Sequence, residues 1–356
     1  MKRAGVLGGL AGVVTAGVAI GLAVERYAVG RTRLRPDPAA GEPLGELAGT
    51  SRTVLAGDGV PLHVEEVGNG PVALIFVHGY VLDRRCWHYQ WRDLRDAGRL
   101  VVFDQRSHGR SGRGSRESAS IDQLGRDLLA VLDAAAPDRP VVLVGHSMGG
   151  MAIMALADQR PELFGTQVVG VALISTSTGN LADVTLGLPA MVSRLLRSVT
   201  PVAVKVVERR ADLVERGRRV GSDLAFLLTR WYSFGSGVSP AQVAFVERMI
   251  AGTPVDVMTE FLPALLEHDK SAALEPLRGV PTLVLTGQRD KQTPEGHSRD
   301  IAATLPEAEL VVVPDAGHLV MLERPDEVNR HLRELVRRAG TPLRRADQGE
   351  MVGDTP

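Results

Sequence analysis

Apolar residues in this chain alternate between two rhythms. Short, continuous, β-branched runs recur at residues 72–77, 100–104, 141–144, 169–174, 282–286 and 310–313. Such runs suit strands of a parallel sheet, where helices on both faces leave no side exposed to water. Between them, apolar positions recur with the helical period at 121–135, 148–158, 296–305 and 325–338. Strand followed by helix, repeated, predicts an α/β fold with a mostly parallel sheet and helices on both faces. Two earlier runs, 53–56 and 62–67, flank Gly57-Asp58-Gly59 and predict an antiparallel hairpin ahead of the parallel strands. The expected sheet therefore has eight strands.

The rhythm breaks once. No strand pattern occurs between Ser175 and Thr282, and the patterns there are helical, as at 190–199 and 241–250. A structureless loop of that length does not fit a compact domain. Residues 183–268 are therefore expected to form an inserted helical cap over the carboxyl edge of the sheet, where ligands bind in open α/β folds. The core then comprises 51–182 and 269–340. Residues 36–50 contain Pro36, Pro38 and Pro43 and read as a linker; residues 341–356 lack periodicity and read as a disordered tail.

Residues 1–35 form a segment apart. After Lys2 and Arg3, residues 4–24 contain no charge. As a helix they extend about 31 Å, matching a hydrocarbon core of about 30 Å. The stretch exceeds the usual apolar region of a signal peptide and lacks an Ala-x-Ala site before Glu25. It reads as an uncleaved membrane anchor, with secretion after signal-peptide cleavage as the alternative. Arg26, Arg31, Arg33 and Arg35 follow the span, and the positive-inside rule then favours a cytoplasmic catalytic domain; the signal-like reading gives the opposite side.

Charge and cysteine content remove several function classes. Lys and Arg total 41 against 42 Asp and Glu, so no basic field favours nucleic acid. The one cysteine, Cys86, excludes an intramolecular disulfide and any multi-cysteine metal site. No metal-ligand cluster is visible, and neither metal nor cofactor is expected.

The candidate chemistry lies at strand ends. Gly145-His146-Ser147-Met148-Gly149 follows the run 141–144 and opens the helical pattern 148–158. That is the strand–turn–helix setting of a nucleophile elbow, and it marks Ser147 as the nucleophile. A serine hydroxyl needs a base, and His318 follows the last strand at the same carboxyl edge. The base needs a carboxylate to fix its tautomer. Asp290, just beyond the strand at 282–286, fits, with Asp315 and Asp183 as rivals. The order Ser147, Asp290, His318 is the one expected of a nucleophile elbow on such a fold. Two N–H groups should hold an oxyanion: that of Met148, after the nucleophile, and that of Tyr80, after the third strand. His78 and His146 flank these positions as structural hydrogen-bonders. His63, His268, His297 and His331 read as surface or packing residues.

Over residues 51–338 the chain resembles the α/β-hydrolase superfamily, in its branch of small esterases and lipases. Four elements carry the resemblance in order: His78-Gly79-Tyr80, the run from Phe103 to Ser111, the Gly-His-Ser-Met-Gly-Gly elbow, and Gly287-x-x-Asp290 with Gly317-His318. The second resembles the family's structural Asp-x-Arg-Gly-x-Gly-x-Ser loop, with Ser107 where glycine is usual, so its backbone is expected to differ slightly. Haloalkane dehalogenases and epoxide hydrolases of the family carry Asp at the nucleophile position, and Ser147 argues against both. The resemblance implies a serine hydrolase acting on a small acyl substrate, with carboxylic esters, including lipid-like ones, foremost. The same constellation also serves C–C bond hydrolysis, perhydrolysis, amide hydrolysis and acyl transfer. A non-catalytic binding module on the scaffold is the alternative of another class.

Overall fold

Eight strands form one sheet in the computed structural model, which describes residues 36–137, 139–184 and 223–350 together with Gly30. They are β1 (Thr50–Leu55), β2 (Pro61–Val67), β3 (Ala73–Val77), β4 (Arg99–Phe103), β5 (Val141–His146), β6 (Val168–Ile174), β7 (Thr282–Gly287) and β8 (Glu309–Val313). Their spatial order is β1-β2-β4-β3-β5-β6-β7-β8. β2 pairs antiparallel with β1 and β4, and every other pairing is parallel. The run of apolar residues in β3 is buried throughout because successive side chains enter different cores. Ala73, Ile75 and Val77 join one core; Leu74 and Phe76 join the other.

The α-helices are α1 (His88–Asp93), α2 (Ile121–Ala135), α3 (Met148–Gln159), α4 (Asp223–Ser233), α5 (Pro240–Gly252), α6 (Val255–Leu266), α7 (Glu295–Thr304), α8 (Val320–Glu323) and α9 (Pro325–Glu350). α2 starts where Ser120 accepts the N–H of Gln123 at 3.2 Å, an N-cap that satisfies one orphan donor. Its apolar face packs against α3, whose residues are buried from Met148 to Ala157. Leu332, Leu335 and Ala339 of α9 cover the opposite face of the sheet together with Trp87 and Trp91.

The insertion after β6 leaves and returns at one place. Gly179 bridges Asp269, and the Lys270 N–H donates to the Thr178 carbonyl at 2.7 Å. Within the insertion α5 and α6 meet at 93°. Thr253 sits between them and precedes Pro254, which disfavours helical backbone at that residue. Phe245 and Met249 of α5 enter one core, Val257 and Phe261 of α6 the other. α5 and α6 are thus held by burial as well as by the contacts at the ends of the insertion.

Residues 36–49, read from the sequence as a linker, pack against the body: Asp37 accepts the Ser239 hydroxyl and, at 3.2 Å, the Ala241 N–H at the start of α5. Glu42 accepts from Arg92 at 2.5 Å and Tyr89 at 3.2 Å, and Ala39 is buried. Proline and glycine content signals irregular backbone but not whether its side chains find partners. α9 runs on past Thr341 as far as Glu350. The proposed span 4–24, the helical pattern at 190–199 and the last six residues lie outside the described residues. Among the described residues, no single helix is long and apolar enough to cross a membrane.

Candidate active site

The carboxyl ends of β3, β5, β7 and β8 converge on one edge, and each contributes one part of a site. At the end of β5 the backbone turns sharply into α3. Ser147 occupies φ 51°, ψ −119°, a strained conformation for a residue with a side chain. Several bonds hold it there: its N–H donates to the Ile174 carbonyl at 3.0 Å, and its carbonyl accepts the Thr176 hydroxyl at 2.7 Å. The turn also needs Gly149, where a Cβ would stand 2.1 Å from the Val77 carbonyl oxygen. Ser147 is half-buried among fully buried neighbours, so the hydroxyl retains access.

His318 and Asp290 come together although 28 positions apart, with Nδ1 2.9 Å from Oδ2. Both are nearly buried, at 4% and 5% exposure, and a buried pair of this kind is little screened. The carboxylate also accepts the N–H groups of Gln292 (2.8 Å) and Thr293 (2.9 Å) and the Thr293 hydroxyl (2.9 Å). Burial acts to raise the Asp290 carboxyl, but the His318 ring and these backbone donors outweigh it and hold the group below its ordinary value. An ionised Asp290 accepts the Nδ1 proton, which leaves the Nε2 lone pair of His318 free to take a proton. The rival Asp315 instead sits at φ 60° in an exposed turn, 2.5 Å from Arg289. Asp183 ends a short 3-10 turn, Leu181–Asp183.

The loop after β3 lies against Ser147: a Cβ on Gly79 would be 3.2 Å from Ser147 Cβ and 2.7 Å from His146 Nδ1. His78 fixes this loop. Its Nε2 accepts the Gln105 N–H at 2.9 Å, so Nδ1 is the protonated nitrogen and donates to the Gly79 carbonyl at 2.8 Å. The N–H groups of Tyr80 and Met148 thus stand on the two backbones flanking Ser147. The Tyr80 hydroxyl donates to the Met258 carbonyl of α6 at 2.5 Å, and burial raises the phenol far above its ordinary range.

Ser107 departs from the expected difference in backbone. It adopts φ 65°, the left-handed conformation that a glycine would take without cost. Its Oγ accepts from the Gly114 N–H at 3.0 Å and Arg113 at 3.2 Å, side-chain bonds that help hold the turn.

His146 is the residue whose connection the sequence did not disclose. Its Nε2 lies 3.0 Å from the His318 carbonyl, so that nitrogen donates, and the two rings are 4.7 Å apart. Burial lowers its pKa to about 3, so the ring is neutral and acts as a fixed donor. His63, His268, His297 and His331 pair elsewhere, with Glu65, the Ser177 carbonyl, the Ser177 hydroxyl and Glu309. Among the described residues no cluster of side chains could hold a metal ion.

Known proteins resemble this chain in sequence and in fold. The sequence profile described as the alpha/beta hydrolase family matches residues 74–331. An sn-1-specific diacylglycerol lipase of Mus musculus is 26% identical over 72% of this chain and 78% of its own length. The dihydrolipoyllysine-residue acetyltransferase component of the acetoin cleaving system of Pseudomonas putida is 28% identical over 76% of this chain, which spans 65% of that relative's length. A thermophilic esterase from Thermogutta terrifontis superposes with a TM-score of 0.63 at 27% identity, covering 82% of this chain and all of its own.

Proposed function

The chain belongs to the alpha/beta hydrolase family, and on that premise we propose that it hydrolyses carboxylic esters through an acyl-enzyme on Ser147. The observation that carries this reading is the buried His318–Asp290 pair at the sheet edge where Ser147 is held in its strained turn. His318 Nε2 takes the Ser147 proton as Oγ attacks the ester carbonyl. The N–H groups of Met148 and Tyr80 stabilise the oxyanion. His318 then gives its proton to the departing alcohol, and the acyl group stays on Ser147. Water, deprotonated by His318, attacks the acyl-enzyme; the acid leaves and Ser147 regains its proton. The apolar helices of the cap and the likeness to a diacylglycerol lipase favour esters with an aliphatic acyl chain.

The test uses p-nitrophenyl esters of graded chain length together with a fluorophosphonate probe and peptide mass spectrometry. The expected result is turnover and a label on Ser147, both abolished in Ser147→Ala. Absence of both in the folded wild-type protein overturns the reading.

We further propose that residues 4–24 anchor the enzyme in a membrane; their uncharged length supports this. Full-length protein should resist carbonate extraction and keep its original N-terminus. Release into the soluble fraction with a new N-terminus near Glu25 would identify a cleaved leader instead.

A further inference from the structure

The peptide that carries His318 is gripped on both sides. After the histidine, its carbonyl accepts His146 Nε2 at 3.0 Å; before it, the Gly317 N–H donates to Glu323 Oε2 at 2.8 Å. The same Glu323 carboxylate reaches into the cap. Oε2 accepts the Gly235 N–H at 3.1 Å and Oε1 the Ser236 N–H at 2.6 Å, at the turn where the chain leaves α4. Glu323 is 7% exposed, so these bonds form largely out of water, and a carboxylate accepting N–H groups makes stronger bonds than a neutral oxygen does. Around it the two backbones touch directly. A Cβ on Gly235 would lie 2.4 Å from the Asp315 carbonyl oxygen, and a Cβ on Gly317 would lie 2.5 Å from the Gly235 nitrogen. The Leu319 N–H donates to the Ser233 carbonyl at 2.9 Å, closing the seam.

We propose that Glu323 is a positioning residue for His318, and that it aims the imidazole by locking the Gly235–Ser236 turn of the cap onto the loop that carries the base. The inference rests on His318 being the general base. Rotating the Gly317–His318 peptide swings Nε2 relative to Ser147, and a misplacement of about 1 Å costs on the order of 10²-fold in rate. The seat of the cap and the alignment of the base are then set by one carboxylate.

The test compares Glu323→Gln, Glu323→Asp and Gly235→Ala in the full-length protein. In Glu323→Gln one acceptor becomes an NH2 group that faces backbone donors. Its kcat should fall about 10- to 100-fold with KM within about threefold, and Ser147 phosphonylation should slow by the same factor. Glu323→Asp, which keeps the charge, should recover part of both rates. Gly235→Ala separates the same seam from the cap side, leaving Glu323 in place, and should show the same loss in kcat and labelling. The double variant should then be no worse than the poorer single one. Activity per folded molecule, from thermal unfolding of each sample, separates positioning from stability. Wild-type kcat and labelling rate per folded molecule in Glu323→Gln and Gly235→Ala would overturn the proposal. If Glu323→Gln does not fold, Gly235→Ala and Glu323→Asp decide it by the same criterion. Failure of the wild-type protein to label would instead overturn the hydrolase reading.

Discussion

Each residue of the site depends on a neighbour that fixes its protonation or its direction. Asp290 is the clearest case, since its charge decides which ring nitrogen of His318 carries the proton. Asp290→Asn keeps the shape but offers an NH2 group to Nδ1 and favours the opposite tautomer. The expected loss in kcat is on the order of 10³- to 10⁴-fold with little change in KM, measured on the ester that turns over fastest. Gly79 controls direction. A methyl group there meets His146 Nδ1 at 2.7 Å and must push the Tyr80 N–H away from Ser147. Gly79→Ala should therefore cost about 10²-fold in kcat, the scale of losing one oxyanion donor, while the circular dichroism spectrum stays that of the wild type. A variant with unchanged kcat would remove Tyr80 from the oxyanion site.

At the level of elements, the inserted helices are fastened to the loop after β3 as well as to the loop that follows β8. The Tyr80 hydroxyl bonds the Met258 carbonyl, and Arg113 pairs with Asp256 and Glu260 on the same helix. The exposed Arg113 pairs add little, whereas Tyr80→Phe should loosen α6 by roughly 1–2 kcal/mol. Faster limited proteolysis within the cap would register this, and an unchanged cleavage rate would refute it. The strands were legible in the sequence because burial on both faces of a parallel sheet forces unbroken apolar runs; 282–286 and β7 differ by a single residue. Ser147, Asp290 and His318 were legible as positions at strand ends, since the fold delivers such positions to one edge. What joins them was not. The His146–His318 bond spans 172 positions and the Glu323–Gly235 bond 88, and no local periodicity encodes which side chain a distant loop will meet. The packed strap at 36–49 escaped for the same reason, because Asp37 caps α5 across more than two hundred positions.

For the whole molecule, the buried histidines set the response to acid. In the folded protein burial lowers His78, His108 and His268 to about 4 and His146 to about 3. In the unfolded chain each returns to about 6.5. Between those values the unfolded chain binds the additional protons, so this stability is intact above about pH 6.5 and is lost as the pH falls. Each histidine contributes a slope of about 1.4 kcal/mol per pH unit, which levels off only when the native rings themselves protonate near 4. Urea midpoints should drop steeply between pH 6.5 and 4.5; a flat profile would show that the rings are not held neutral. The strap also sets a distance. Asp37 is fixed to the start of α5, so the dozen residues between Val24 and Asp37 are all that separate the proposed anchor from the cap. Fully drawn out they reach about 40 Å. With residues 4–24 in a bilayer, this tether is a leash attached to the cap, and it keeps α5 within about one bilayer thickness of the membrane surface.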